Sequence, residues 1–188
     1  MEKVSEAIAF AVEKHDGMRR KKNESPYILH PLEAAVIVGT MTSDQEIIAA
    51  AVLHDVAEDA DVSLNEVEEK FGRRVRLLVE SETEDKRADL PPEATWRIRK
   101  EESLKVLKEA KDDAVLMVWL GDKLANMRSL YRDFMVEGVG MWQRFNQKDP
   151  EVQAWYYRSI AELTKRLSHT SAWIEYSALT ELVFGKGE

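Results

Sequence analysis

The chain has 188 residues, with 44% hydrophobic and 33% charged residues and a net charge of −8, the composition of a globular domain with room for a sizeable core. No apolar run approaches the roughly 20 residues of a membrane span, and the acidic balance argues against DNA or RNA as a partner. Cysteine is absent, which excludes disulfides and thiolate metal sites and fits a cytoplasmic protein.

The first 15 residues, MEKVSEAIAFAVEKH, set acids between apolar residues and read as an amphipathic helix, not a signal peptide. Its stripe is Val4, Ala7, Ile8, Ala11 and Val12. Residues 16–29 are polar, basic and interrupted by Pro26, hence a loop. Pro31 then opens a helix through Val38. Ser43 with Glu46 three residues on has the capping-box pattern for a helix running to about Val56, and Ser63 with Glu66 repeats it for a short helix ending near Phe71-Gly72. A further helix fits residues 73–82. Residues 83–95, rich in charge and holding Pro91-Pro92, read as a loop. Helices are expected near 96–110, 112–131, 137–146, 150–168 and 170–183. With no repeat and no linker, the expectation is one all-α domain over residues 1–188, a compact multi-helix bundle.

The informative stretch is VLHDVAEDA, residues 52–60. Seven apolar residues, Ile47 to Leu53, lead directly into His54-Asp55, and Glu58 and Asp59 follow one turn later. A buried charge without a partner costs several kcal/mol, so these groups need compensation. On one helix His54 and Asp55 lie about 100° apart, with Glu58 and Asp59 four residues beyond each. Such a strip can hold a cation and place a carboxylate beside its water. The bland alternative is a solvated helix end, against which the preceding apolar run argues. Two further segments repeat the pattern. His30 sits in PYILHP, among hydrophobic residues and a proline. Asp122 follows the apolar run Val115–Leu120 and Gly121, with Asn126 four residues on.

His30, His54-Asp55 and Asp122 stand in the H…HD…D order of the HD-domain metal-dependent phosphohydrolases. The flanking segments HDGMRRKKNESPYILHP, VLHDVAED, FGRRVRLLV and LGDKLANMR resemble the hydrolase domain of the RelA/SpoT alarmone enzymes over about residues 1–160. The resemblance implies removal of the 3′-pyrophosphate from guanosine 3′,5′-bis-pyrophosphate, leaving GDP or GTP. It also implies a stand-alone small hydrolase, since the chain is too short for the synthetase and regulatory domains of the long enzymes.

The same resemblance implies that His30, His54, Asp55 and Asp122 hold one divalent ion, typically Mn²⁺, leaving open positions for water and a phosphate oxygen. Glu58 and Asp59 match the family's acid pair, one of which, Glu58 for preference, orients or deprotonates the attacking water. Arg20 and Lys21 match an Arg-Lys pair that touches substrate, against the plain reading of Arg19–Lys22 as a solvated basic loop. Asn126 and Arg128 match the family's N-x-R as substrate contacts, with an ion-pair role open for Arg128. Lys86, in ETEDK, and Tyr156 or Tyr157 could reach the guanosine, the tyrosines equally fitting the core. His15 falls on a family position but reads as structural, and His169 matches nothing. Gly121 stands where many members have Ala, a change expected to permit the same close packing. Ala60 replaces a common Thr after the acid pair. The segment from Thr83 to Trp96 also departs from the long enzymes. The alternatives are the same site acting on another nucleotide, such as NADPH or a nucleoside monophosphate, or a non-catalytic nucleotide sensor.

Overall fold

The computed structural model describes residues 2–20, 24–87 and 89–185. Its helices are α1 (Lys3–Lys14), α2 (Leu29–Gly39), α3 (Gln45–Leu53), α4 (Val56–Asp59), α5 (Leu64–Phe71), α6 (Arg73–Glu82), α7 (Pro92–Glu109), α8 (Asp113–Glu137), α9 (Pro150–Leu163) and α10 (Ser171–Phe184), with 3-10 turns at Gly138–Arg144 and Lys165–Leu167. No strand occurs among the described residues; a lone bridge joins Arg19 to Pro26. The all-α expectation holds.

Several boundaries differ for local reasons. α3 is capped by Asp44, not Ser43: its carboxylate accepts the Glu46 amide at 2.9 Å, and it also takes Arg74 from α6. α7 begins at Pro92 because a proline in the first turn has no amide to lose. α8 runs on to Glu137, its last turns packing Tyr131 and Phe134 onto the core, until Gly138 breaks it at φ +58°. The helix expected over 137–146 is a 3-10 turn, and the one over 150–168 ends at Leu163.

The change that matters most is at His54-Asp55. The expected continuous helix is interrupted there, between α3 and α4. The His54 ring nitrogen Nδ1 lies 2.7 Å from the Ala51 carbonyl, to which a continuous helix would direct the amide of Asp55. A side chain has taken a helix acceptor.

Two apolar clusters fill the interior. One joins α1, α2, α3, α5 and α6 with the start of α8; the other gathers α7, α9 and α10 around the rest of α8. α8 thus belongs to both, and its closest neighbour is α2. Gly121 makes that approach possible: a Cβ there would meet Val38 Cγ2 at 2.6 Å and the Ala34 carbonyl oxygen at 2.9 Å. The close packing expected at Gly121 is present, and it is tighter than an alanine here would allow, since backbone cannot yield as a flexible side-chain tip can. The approach sets His30 of α2 against Asp122 of α8. No helix among the described residues is long and apolar enough to cross a membrane.

Candidate metal centre

His30, His54 and Asp122 are buried, and their ligand atoms converge. His30 Nε2 lies 3.0 Å from Asp122 Oδ1 and 3.3 Å from His54 Nε2. Asp55 Oδ2 joins them at 3.2 Å from His54 Nε2 and 3.5 Å from His30 Nε2. Residues far apart in sequence are gathered because α2, the α3–α4 turn and α8 meet where their apolar faces pack.

The donor set fits a divalent cation. A carbonyl can only accept, so His54 Nδ1 carries a proton toward Ala51 and Nε2 turns its lone pair to the centre in the neutral form, the tautomer that binds metals. Electrostatics agree. Burial pushes the His54 imidazole down, but the Asp55 and Asp122 carboxylates outweigh it and hold its pKa well above the usual value. Burial pushes Asp55 up, yet His54 and His30 keep it below the carboxylate range. Asp122 is likewise held low, chiefly by Lys123. The carboxylates draw a proton onto an imidazole, and a cation would meet the same demand for positive charge.

A cleft of about 210 Å³ opens over this cluster. Glu58 and Asp59 line it, one turn beyond Asp55. Burial, then the Asp55 charge, raises the Glu58 carboxyl. The loop after α6 closes on these acids: the Glu84 amide donates to Glu58 Oε2 at 3.2 Å, and the Lys86 ammonium binds the Glu58 carbonyl and the Asp59 carboxylate. Lys86 is therefore engaged with the acid pair. Arg20 donates to Asn126 Oδ1 at 3.2 Å, and Asn126 donates to Asp122 Oδ1 at 2.7 Å, so both expected contacts border the metal cluster. Lys21 lies outside the described residues. Arg128 is not among the residues lining the cleft. It forks onto Glu175 of α10 at 2.6 and 2.7 Å and reaches Glu33 at 3.3 Å, tying α8 to α10 and α2. That is the ion-pair role. Tyr156 is buried beneath Lys100, in the core; Tyr157 is half-buried beside it and accepts, through its carbonyl, from the Tyr176 hydroxyl.

Residues 7–149 match the family described as HD domain. The chain belongs to the HD-domain family. Among HD relatives, a Xenopus tropicalis protein named guanosine-3′,5′-bis(diphosphate) 3′-pyrophosphohydrolase MESH1 is 38% identical over 176 residues, 92% of this chain and 88% of that one. An Aquifex aeolicus protein named guanosine-3′,5′-bis(diphosphate) 3′-pyrophosphohydrolase is 38% identical over 130 residues, 69% of this chain. The chain spans only 18% of that relative's length and 17% of the Brucella ovis protein named GTP pyrophosphokinase rsh. A solved structure titled as a metazoan SpoT ortholog that hydrolyzes ppGpp superposes with a TM-score of 0.77 at 25% identity, covering 99% of this chain and 98% of the other. A Listeria monocytogenes structure gives 0.72 at 27% identity, covering 84% and 99%.

The HD cleft also holds residues that sequence reasoning does not single out. Tyr27 donates its hydroxyl toward Asp55 and Asp59. Its one signal is an aromatic residue three positions before His30, a candidate ligand. Lys123 bonds Asp122 and lies 3.2 Å from Glu82 Oε2; a lysine in the apolar run of α8 was the available clue. Burial pushes the Glu82 carboxyl up to about 8 in spite of Lys123. Glu84 gathers Arg99, Lys100 and Ser103 from α7 on the far wall. His15, expected as merely structural, is buried with its ring 5.1 Å from that of Tyr27, closer to the centre than the sequence suggests. A larger groove of about 440 Å³ between α7 and α9 shares no residue with the cleft.

Proposed function

We propose that the chain is a metal-dependent hydrolase that removes the 3′-pyrophosphate of guanosine 3′,5′-bis-pyrophosphate or its pentaphosphate counterpart. One observation carries the reading: two imidazoles and two carboxylates converge within 3.0–3.5 Å, and an acid pair borders the same cleft one turn away. The Xenopus tropicalis relative, matched along most of both chains, supports the choice of substrate.

His30, His54, Asp55 and Asp122 would hold the ion, for which we propose Mn²⁺. When bound, it would neutralise phosphoryl charge and acidify water. Glu58 accepts the proton of the attacking water; burial and the Asp55 charge raise its affinity for that proton above that of an ordinary carboxylate. Water adds to the phosphorus attached to the ribose 3′-oxygen, that bond breaks, and the oxygen leaves with a proton as the hydroxyl of GDP or GTP. Asp59, fixed by Lys86, stands beside Glu58 as the second acid of the pair. Arg20 and Asn126 receive the nucleotide, with Lys86 and Lys21 as further contacts by family resemblance; Arg128 keeps its ion pair. A second cavity of about 290 Å³ shares Arg20 and His30 with the cleft and continues past Glu33 and Ser129, giving the base a place to lie. We further propose that residues 1–188 form one functional unit and that the chain works in the cytoplasm, with which a cysteine-free sequence is compatible.

Product analysis tests this. Metal-stripped protein is given Mn²⁺ with guanosine bis-pyrophosphate, NADPH, GTP or nucleoside monophosphates, beside Asp55→Ala. Pyrophosphate released from the alarmone alone, dependent on Mn²⁺ and lost in the variant, is the expected result. Orthophosphate from another nucleotide would keep the metal site and move the substrate. Binding without turnover would leave a sensor.

A further inference from the structure

Tyr27 lines the cleft between the metal cluster and the acid pair and belongs to neither. Its hydroxyl lies 2.8 Å from Asp55 Oδ2 and 2.7 Å from Asp59 Oδ2. A metal-binding carboxylate and a water-side acid thus meet on one side-chain oxygen. The ring is fixed from several directions: the His15 ring lies 5.1 Å away, the Arg20 guanidinium 5.7 Å over the face, and the His30 ring 6.2 Å away at an edge. The backbone is pinned as well. The Tyr27 amide donates to the Met18 carbonyl at 3.0 Å, and the His30 amide donates to the Tyr27 carbonyl at 3.0 Å.

A phenol has one hydrogen to donate, so the two carboxylates compete for it. Asp59 has a second anchor, since Lys86 binds its other oxygen, Oδ1. Asp55 has the two imidazoles. With a cation on Asp55, the demand of that carboxylate for the phenolic hydrogen would fall and Asp59 would be the acceptor left, held at Oδ2 by Tyr27 and at Oδ1 by Lys86.

We propose that Tyr27 is a positioning residue that couples the metal ligand Asp55 to the orientation of Asp59. This rests on the reading of the cleft as a metal-dependent hydrolase. Tyr27→Phe removes the hydroxyl and keeps the ring packing. Turnover of guanosine bis-pyrophosphate by the full chain is compared for wild type, Tyr27→Phe, Asp59→Asn and the double variant, with Mn²⁺ affinity from isothermal titration and thermal midpoints as a check on folding. The expected result for Tyr27→Phe is kcat lower by about 10–100-fold at saturating Mn²⁺, with Mn²⁺ affinity about tenfold weaker. KM should stay within about twofold, and the double variant should be no slower than Asp59→Asn alone. The proposal is overturned by unchanged kcat, by full recovery in excess Mn²⁺, which would leave Tyr27 supporting Asp55 alone, or by losses that multiply in the double variant. A wild type that does not turn over this nucleotide would sink the substrate reading instead. In that case the same double-variant comparison is read on Mn²⁺ affinity: a loss in Tyr27→Phe that disappears in the Asp59→Asn background upholds the coupling, and an unchanged affinity, or a loss equal in both backgrounds, overturns it.

Discussion

Glu58 carries a raised proton affinity because burial and the nearby Asp55 both disfavour its charge. As a base it works only when ionised, so turnover should fall with decreasing pH through a value above the ordinary 4.5. In Glu58→Gln that acid limb should vanish, kcat should drop by about 10²–10⁴-fold, and Mn²⁺ affinity should hold. A pH–rate profile beside a Mn²⁺ titration checks all three, and Mn²⁺ affinity lost with kcat would make Glu58 a ligand instead. His54, Asp55 and Asp122 could be found in the sequence because each interrupts an apolar run, where a charge demands a reason. Tyr27 and Glu82 could not. A tyrosine before a proline-opened helix is unremarkable, and Glu82 lies in a charged helix end whose burial arises only when α8 brings Lys123 over it.

At the scale of helices, the contact of α2 with α8 fixes the distance between His30 and Asp122. Gly121→Ala places a methyl against the Ala34 carbonyl and should cost about 1–3 kcal/mol in denaturant unfolding. Because the helices must part, Mn²⁺ binding should weaken too; a variant as stable and as tight as wild type would show that the helices can slide. At the start of α3, Asp44 caps the helix while Arg74 and Lys3 bind it and Glu46 into a link with α6 and α1. Asp44→Ala should cost about 1 kcal/mol. The Arg74 hydrogen bond lowers the Asp44 pKa, and the Lys3 hydrogen bond lowers that of Glu46. Stability from this link is therefore complete above their ordinary values of 3.8 and 4.5 and is lost as pH falls through the lower folded ones. The pairs are exposed, so the effect is small. Unfolding midpoints of wild type and Asp44→Ala should converge in acid. Helix positions were largely readable from periodicity. The lapse at His54-Asp55 was not, because it depends on a side chain reaching back to Ala51, which no spacing rule announces.

For the whole molecule, the four candidate ligands come from three separated segments and meet only in the folded chain. Mn²⁺ at a hundredfold excess over its dissociation constant should add about 2.7 kcal/mol, a rise of roughly 5–10 °C in thermal midpoint. Asp122→Ala should show no such rise, and an equal shift in both would place the binding elsewhere. The lapse between α3 and α4 has a consequence at this scale. The Ala51 carbonyl is given to an imidazole, so the turn that orients His54 is also a weak point in the longest apolar stretch before the site. Selection for thermal robustness alone would favour mending it, with a residue at 54 that lets the ladder run through. On the function proposed above, activity forbids the repair. Conservation of fold and conservation of chemistry pull in opposite directions at that one residue, and a hardened, inactive variant is the outcome to expect from any screen that rewards only survival on heating.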